Sequence, residues 1–81
     1  MNNFSFTNEL PNFNVIEIGS LTIYLSYTVP IAFRYKGNLV IRQNDWTQTT
    51  GKHLNKIESD KSIRISGDDF EEKLSKIIDN I

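Results

Sequence analysis

The chain contains no cysteine, so neither a disulfide nor a thiolate-bound zinc can staple it. It has a single histidine, and one imidazole without Cys or a second His does not make the usual zinc site. No Gly-x-Ser-x-Gly element is present, which removes the commonest signature of a hydrolytic serine. Gly51-Lys52 is not a P-loop, because Trp46 stands where that pattern needs Gly and His53 replaces its Ser or Thr. No apolar run approaches the ~20 residues of a membrane span. The N-terminus also lacks a basic region followed by an apolar one, so the expected location is cytoplasmic. A large charge excess is missing too: 9 basic and 10 acidic residues leave a formal net charge of −1, unlike the basic surplus of a general nucleic-acid binder.

What remains is compatible with one small folded domain. At 81 residues, with 38% hydrophobic and 11% aromatic side chains, the chain is too apolar for a disordered segment. A domain of this size buries only about 60% of its unfolded surface. Its stability must therefore come from close packing, oligomerisation or a bound ligand.

Residues 1–13 are Asn-rich yet carry Phe4, Phe6, Leu10 and Phe13, so they form an arm expected to pack on its own domain or on a neighbouring subunit. Pro11 interrupts any regular element there. The remaining residues, 14–81, form a single domain. Asn14–Ile18 and Leu21–Tyr27 alternate as a hairpin across Gly19-Ser20, with Ile18 opposite Leu21 and Ile16 opposite Ile23. A second hairpin joins Ile31–Tyr35 to Leu39–Ile41, with Pro30 at its start or on an edge. Keeping its apolar residues on one face requires a three-residue loop at Lys36–Asn38, pairing Tyr35 with Leu39 and Phe33 with Ile41.

A short helix follows, capped by Thr49 or Thr50 and turning Leu54 and Ile57 inward. Ser62–Ile65 reads as a brief strand. Ser66 and Asp69 form a capping box for a last helix, on which Phe70, Leu74, Ile77, Ile78 and Ile81 recur in one stripe. Glu72 and Lys76 make an i,i+4 pair on it. The expected fold is α+β: a small antiparallel β-meander of two hairpins plus a short strand, packed with a short helix and a C-terminal amphipathic helix mainly on one face.

The densest chemistry lies between Trp46 and His53, where Thr49, Thr50, Lys52 and the only His gather at a helix start. Free amides and a partial positive charge make such an end attractive to anions. Lys52 and His53 would neutralise a phosphate, Trp46 would stack on a flat group, and Arg34 and Tyr27 would complete the wall. The plainer reading makes Trp46 a core anchor, a Thr a cap and Lys52 a solvated charge. His53 lacks a fixed proton partner, so it is read as a ligand contact or capping residue rather than a catalyst. No residue qualifies as catalytic, none as a metal ligand, and no cofactor is expected.

A second sheet face would carry Tyr24, Arg34 and Arg42 with Glu17 and Thr22 beside them. Such a face can dock single-stranded nucleic acid or a protein, or it can simply be wet. The acids Asp68 to Glu72 complement a helix dipole.

The series Leu21-Thr22-Ile23-Tyr24-Leu25-Ser26-Tyr27-Thr28-Val29-Pro30-Ile31-Ala32-Phe33-Arg34, with Trp46 and Thr49-Thr50-Gly51-Lys52-His53-Leu54-Asn55, resembles a family of small proteins of unknown function found mainly in bacteriophages and prophages. The resemblance spans residues 14–78. It implies a viral origin, with the host cytoplasm as location, and transfers no catalytic residue. The leading expectation is a non-enzymatic, phage-type counter-defence protein that sequesters a phosphate-bearing ligand such as a nucleotide, in a pocket completed by a homo-oligomer. The alternative is an inhibitor or adaptor acting on a host effector, in the manner of an anti-CRISPR protein. Single-stranded nucleic-acid binding is the third expectation, opposed by the acidic balance.

Overall fold

The computed structural model describes residues 4–80, with side chains described from Pro11 onward. Five antiparallel strands follow one another as a meander: β1 (Phe4–Leu10), β2 (Phe13–Ile18), β3 (Leu21–Ser26), β4 (Val29–Tyr35) and β5 (Asn38–Ile41). Two helices, α1 (Gln48–Ile57) and α2 (Gly67–Asp79), come after the sheet. The α+β class, the meander and both helices are those expected from the sequence. None of the described helices is long and apolar enough to cross a membrane.

The segment expected as an arm supplies the edge strand, since β1 pairs with β2. Pro11 starts the turn between them rather than detaching the segment. Asn12 follows in the left-handed region (φ 63°), which gives the Pro-then-Asn order of a type II turn. How Phe4, Phe6 and Leu10 pack lies outside the described side chains.

The β2–β3 hairpin has the predicted register, Ile18 with Leu21 and Ile16 with Ile23. Gly19 takes positive φ at the first turn position, as a II′ turn demands. The β4–β5 hairpin differs from expectation. Lys36 and Gly37 alone form its loop, both at positive φ, so Tyr35 faces Asn38 and Phe33 faces Val40.

The physical reason is that both faces of the sheet are covered. One face packs Phe13, Ala32 and Ile41 against Leu54 of α1; the other packs Leu21, Ile23 and Phe33 against Phe70 and Leu74 of α2. With helices on opposite sides rather than mainly on one, apolar residues occur at both phases of the strands and alternation cannot fix the register. A bulge in β4 adds to this. Tyr24 pairs with Ala32 but Leu25 pairs with Pro30, leaving Ile31 as the extra residue. Ile31, Ala32 and Phe33 are consequently all buried.

Ser62–Ile65 is not a strand. Asp60 accepts hydrogen bonds from both the amide and the hydroxyl of Ser62 and winds Lys61–Ile63 into a 3-10 turn. Only a single parallel bridge, Arg42 to Ile65, ties the segment to the end of β5. The α2 cap is as predicted, with Ser66 Oγ accepting from the Asp69 amide. The Glu72–Lys76 pair also forms, at 3.0 Å. In the apolar stripe Ile78 is half exposed, and Ile81 lies outside the described residues.

Candidate functional site

The approach to α1 is built by Asn44, not by a threonine hydroxyl. The Asn44 side chain accepts from the Trp46 amide and donates to the Thr47 carbonyl, both at 3.0 Å. Thr47 is the N-cap residue and makes no side-chain cap bond, so the expectation of Thr49 or Thr50 as the cap is corrected. Three threonines fall within four positions here, and composition alone does not choose among them. Thr49 is exposed, and Thr50 is already inside the helix and buried.

Thr50 and His53 project from one face of α1 onto the sheet. Ser26 Oγ lies 3.0 Å from Thr50 Oγ1 and 2.7 Å from His53 Nδ1. All three side chains are buried, so each group satisfies another in the interior. The imidazole also stacks on Phe13, with centroids 5.1 Å apart, and meets Tyr27 at 6.4 Å. His53 thus joins an aromatic layer running from Tyr24 through Phe13 to Tyr27.

Above this trio Ser26, Tyr27, Val29, Ile31, Trp46 and Thr50 line a hollow of about 50 Å³. Trp46 and Tyr27 flank it while remaining 43% and 48% exposed. Trp46 is also held by Arg42, whose guanidinium carbon sits 4.5 Å from the indole centroid. A guanidinium over an indole is a favourable cation–π contact.

Tyr27 is held by its backbone. Its amide donates to the Asn12 carbonyl at 2.6 Å, and its φ is 58°. Lys36, φ 50°, donates likewise to the Ser20 carbonyl at 3.3 Å at the opposite end of the sheet. Each of these turn residues stitches its hairpin to a neighbouring turn, which explains why the left-handed conformation persists without glycine.

Of the residues singled out from the sequence, Trp46, Tyr27 and Thr50 meet at this hollow, with His53 in contact beneath. Lys52 is exposed and does not line it, and neither does Thr49. Arg34 lies elsewhere on the α1-side face, its Nε donating to the Tyr24 hydroxyl at 3.2 Å.

Arg42 is not on that face. It points to the α2 side and is only 7% exposed, between the Trp46 and Phe70 rings, with Asp45 and Glu71 each 3.4 Å away. The postulated wet face of Tyr24, Arg34 and Arg42 therefore does not assemble. The displaced β4–β5 register is the cause. No charge pattern in the sequence signals that Arg42 is interior. Among the described residues no three His, Cys, Asp or Glu side chains converge to hold a metal ion.

A family model described as a family of unknown function (DUF8033) matches residues 2–72, and the chain belongs to that family. The match includes nearly all of the N-terminal segment that the resemblance left out. Comparison with curated proteins and with solved structures gave no match.

Proposed function

We propose that the chain is a non-enzymatic binding protein of phage type that docks on a host protein through the Trp46–Tyr27 hollow, in the inhibitor or adaptor class. The observation that carries this reading is a pair of large aromatics, both nearly half exposed, flanking an apolar depression. Trp and Tyr dominate the energetics of protein interfaces, because they cover large area at small conformational cost. Arg42 stacks on the Trp46 ring, and Asn44 Oδ1 and the Asn12 carbonyl anchor the backbone amides of Trp46 and Tyr27, which lowers the ordering entropy lost on binding.

Volume argues in the same direction. Small-molecule sites run roughly 300–1,000 Å³. A hollow of about 50 Å³ takes one small apolar side chain and does not enclose a nucleotide. If the resemblance of Leu21–Arg34 and Trp46–Asn55 to small phage proteins reflects a viral origin, such docking would serve counter-defence. The test is capture from host lysate, followed by identification and titration of the partner. Wild type should retain a stoichiometric protein that Trp46→Ala and Tyr27→Ala each bind at least roughly tenfold more weakly. Equal capture by wild type and both variants rejects the proposal.

A second reading keeps the phosphate ligand at the start of α1, in a pocket completed by a homo-oligomer. It is favoured by one observation: the first turn of α1 has neither a side-chain cap nor an acidic residue, and Trp46 stands just before it. Calorimetric titration with a nucleotide panel separates the two readings. Binding that weakens in Lys52→Ala supports sequestration; no heat with any nucleotide ends it.

A further inference from the structure

We propose that a second hollow, between the C-terminal half of α2 and the β4–β5 hairpin, binds a small monoanionic amphiphile: an apolar body bearing one carboxylate. Phe33, Tyr35, Asn38 and Val40 of the sheet and Lys73, Lys76 and Ile77 of α2 line it, at about 330 Å³. That volume lies within the roughly 300–1,000 Å³ of small-molecule sites. The space exists because the packing of α2 opens along its length: Phe70 is 0% exposed and Leu74 8%, whereas Ile77 is only half buried.

The lining divides by chemistry. The register sets Phe33 beside Val40 and Tyr35 beside Asn38, so the floor is apolar with one amide at its outer end. Lys73 and Lys76 stand on the helix wall, and Lys36 holds its ammonium 5.2 Å from the Tyr35 ring centroid. Two ammonium groups, those of Lys73 and Lys76, thus border an apolar surface. Lys76 makes a direct ion pair with Glu72 at 3.0 Å, and the charge of Lys73 also acts on that carboxylate without a direct contact.

This arrangement selects one negative charge rather than several. Asp69 and Glu72 join Lys73 and Lys76 around the adjoining hollow, where they oppose a polyphosphate. No guanidinium is present in the lining to grip a phosphate bidentately. A single carboxylate, met by Lys73 while its hydrocarbon or aryl body covers Tyr35, Val40 and Ile77, satisfies both halves of the site. The turn at Lys36-Gly37 puts this hollow at the opposite strand ends from Trp46, so the proposal does not depend on the docking surface above.

The test is an NMR titration of the ¹⁵N-labelled chain with 2-naphthoate and with octanoate, using 2-naphthamide as the neutral counterpart. Saturable amide shifts are expected to centre on Tyr35, Asn38, Val40 and Ile77, with the amide probe binding more weakly than the acid. Combined Lys73→Ala and Lys76→Ala, on exposed positions that leave the remaining spectrum native, should weaken naphthoate roughly tenfold or more. Aryl acid without octanoate binding assigns an aromatic ligand, and binding of both assigns an aliphatic-tolerant one. Several outcomes overturn the site: no saturable shift with either acid, shifts centred on Phe13 and Ile57 or on Trp46, naphthamide as tight as naphthoate, or undiminished binding by the double variant.

Discussion

Arg42 lies directly against the bare Cα of Gly67. A Cβ at residue 67 would collide with Nη2 of that guanidinium and come within 2.9 Å of its Cζ. The guanidinium has nowhere easy to go, because the Trp46 and Phe70 rings enclose it. Gly67→Ala should therefore destabilise the fold by about 1–3 kcal/mol as an overpacking change, although alanine is the better helix former. In an Arg42→Met background the same substitution should become neutral or favourable. Denaturant melts of the four proteins in that cycle measure the coupling, and additive effects would refute the contact.

Ser26 organises a buried polar trio, accepting or donating toward both Thr50 and His53. Ser26→Ala strands the His53 Nδ1 and is expected to cost about 1–3 kcal/mol. Thr50→Val keeps the volume and deletes one neutral hydrogen bond, for a smaller loss of about 1 kcal/mol. Thermal melting orders the two, and a larger loss for Thr50→Val would show that Ser26 is not the hub.

Tyr27 occupies a left-handed turn position at φ 58°, where asparagine is at ease and tyrosine is strained. Tyr27→Asn should leave stability unchanged or raise it by up to about 1 kcal/mol, partly offset by the lost ring contact with His53. Partner capture should fall at the same time. A variant that is more stable yet binds less would mark Tyr27 as retained for contact; one that melts much earlier would make it a packing residue.

Asp60 provides a pH-dependent signature. Its carboxyl is held below the ordinary value of 3.8, first by the Ser62 hydroxyl and then by the Ser62 amide. A depressed folded-state value is a contribution present above the unfolded value and lost as pH falls through the folded one. Because the group is fully exposed, the observable is its own titration. Followed by carboxyl NMR shifts, the midpoint should rise toward the ordinary value in Ser62→Ala without reaching it, since the amide bond remains.

Local rules carried much of the fold. Ile16, Ile18, Leu21 and Ile23 announced the first register through period-2 alternation and a glycine turn, and Ser66 with Asp69 announced α2. The β4–β5 register was hidden because Phe33, Val40, Leu39 and Ile41 are apolar on both phases, each phase having its own helix. At the site, Trp46 and its neighbourhood were legible from residue types. The burial of His53 was not, because it depends on Ser26, distant in sequence. Nor was the lysine-bordered hollow, since Asn38 and Val40 join Phe33 and Tyr35 beside Lys73 only through that same unreadable register.

The stacked, half-open setting of Trp46 has a practical consequence. It is the protein's sole tryptophan, so the docking hollow carries a built-in optical reporter. Whatever seats on Tyr27 and Val29 withdraws the indole from water and moves its emission to the blue. A guest at the far strand ends leaves the colour alone, and one unlabelled spectrum tells the two occupancies apart.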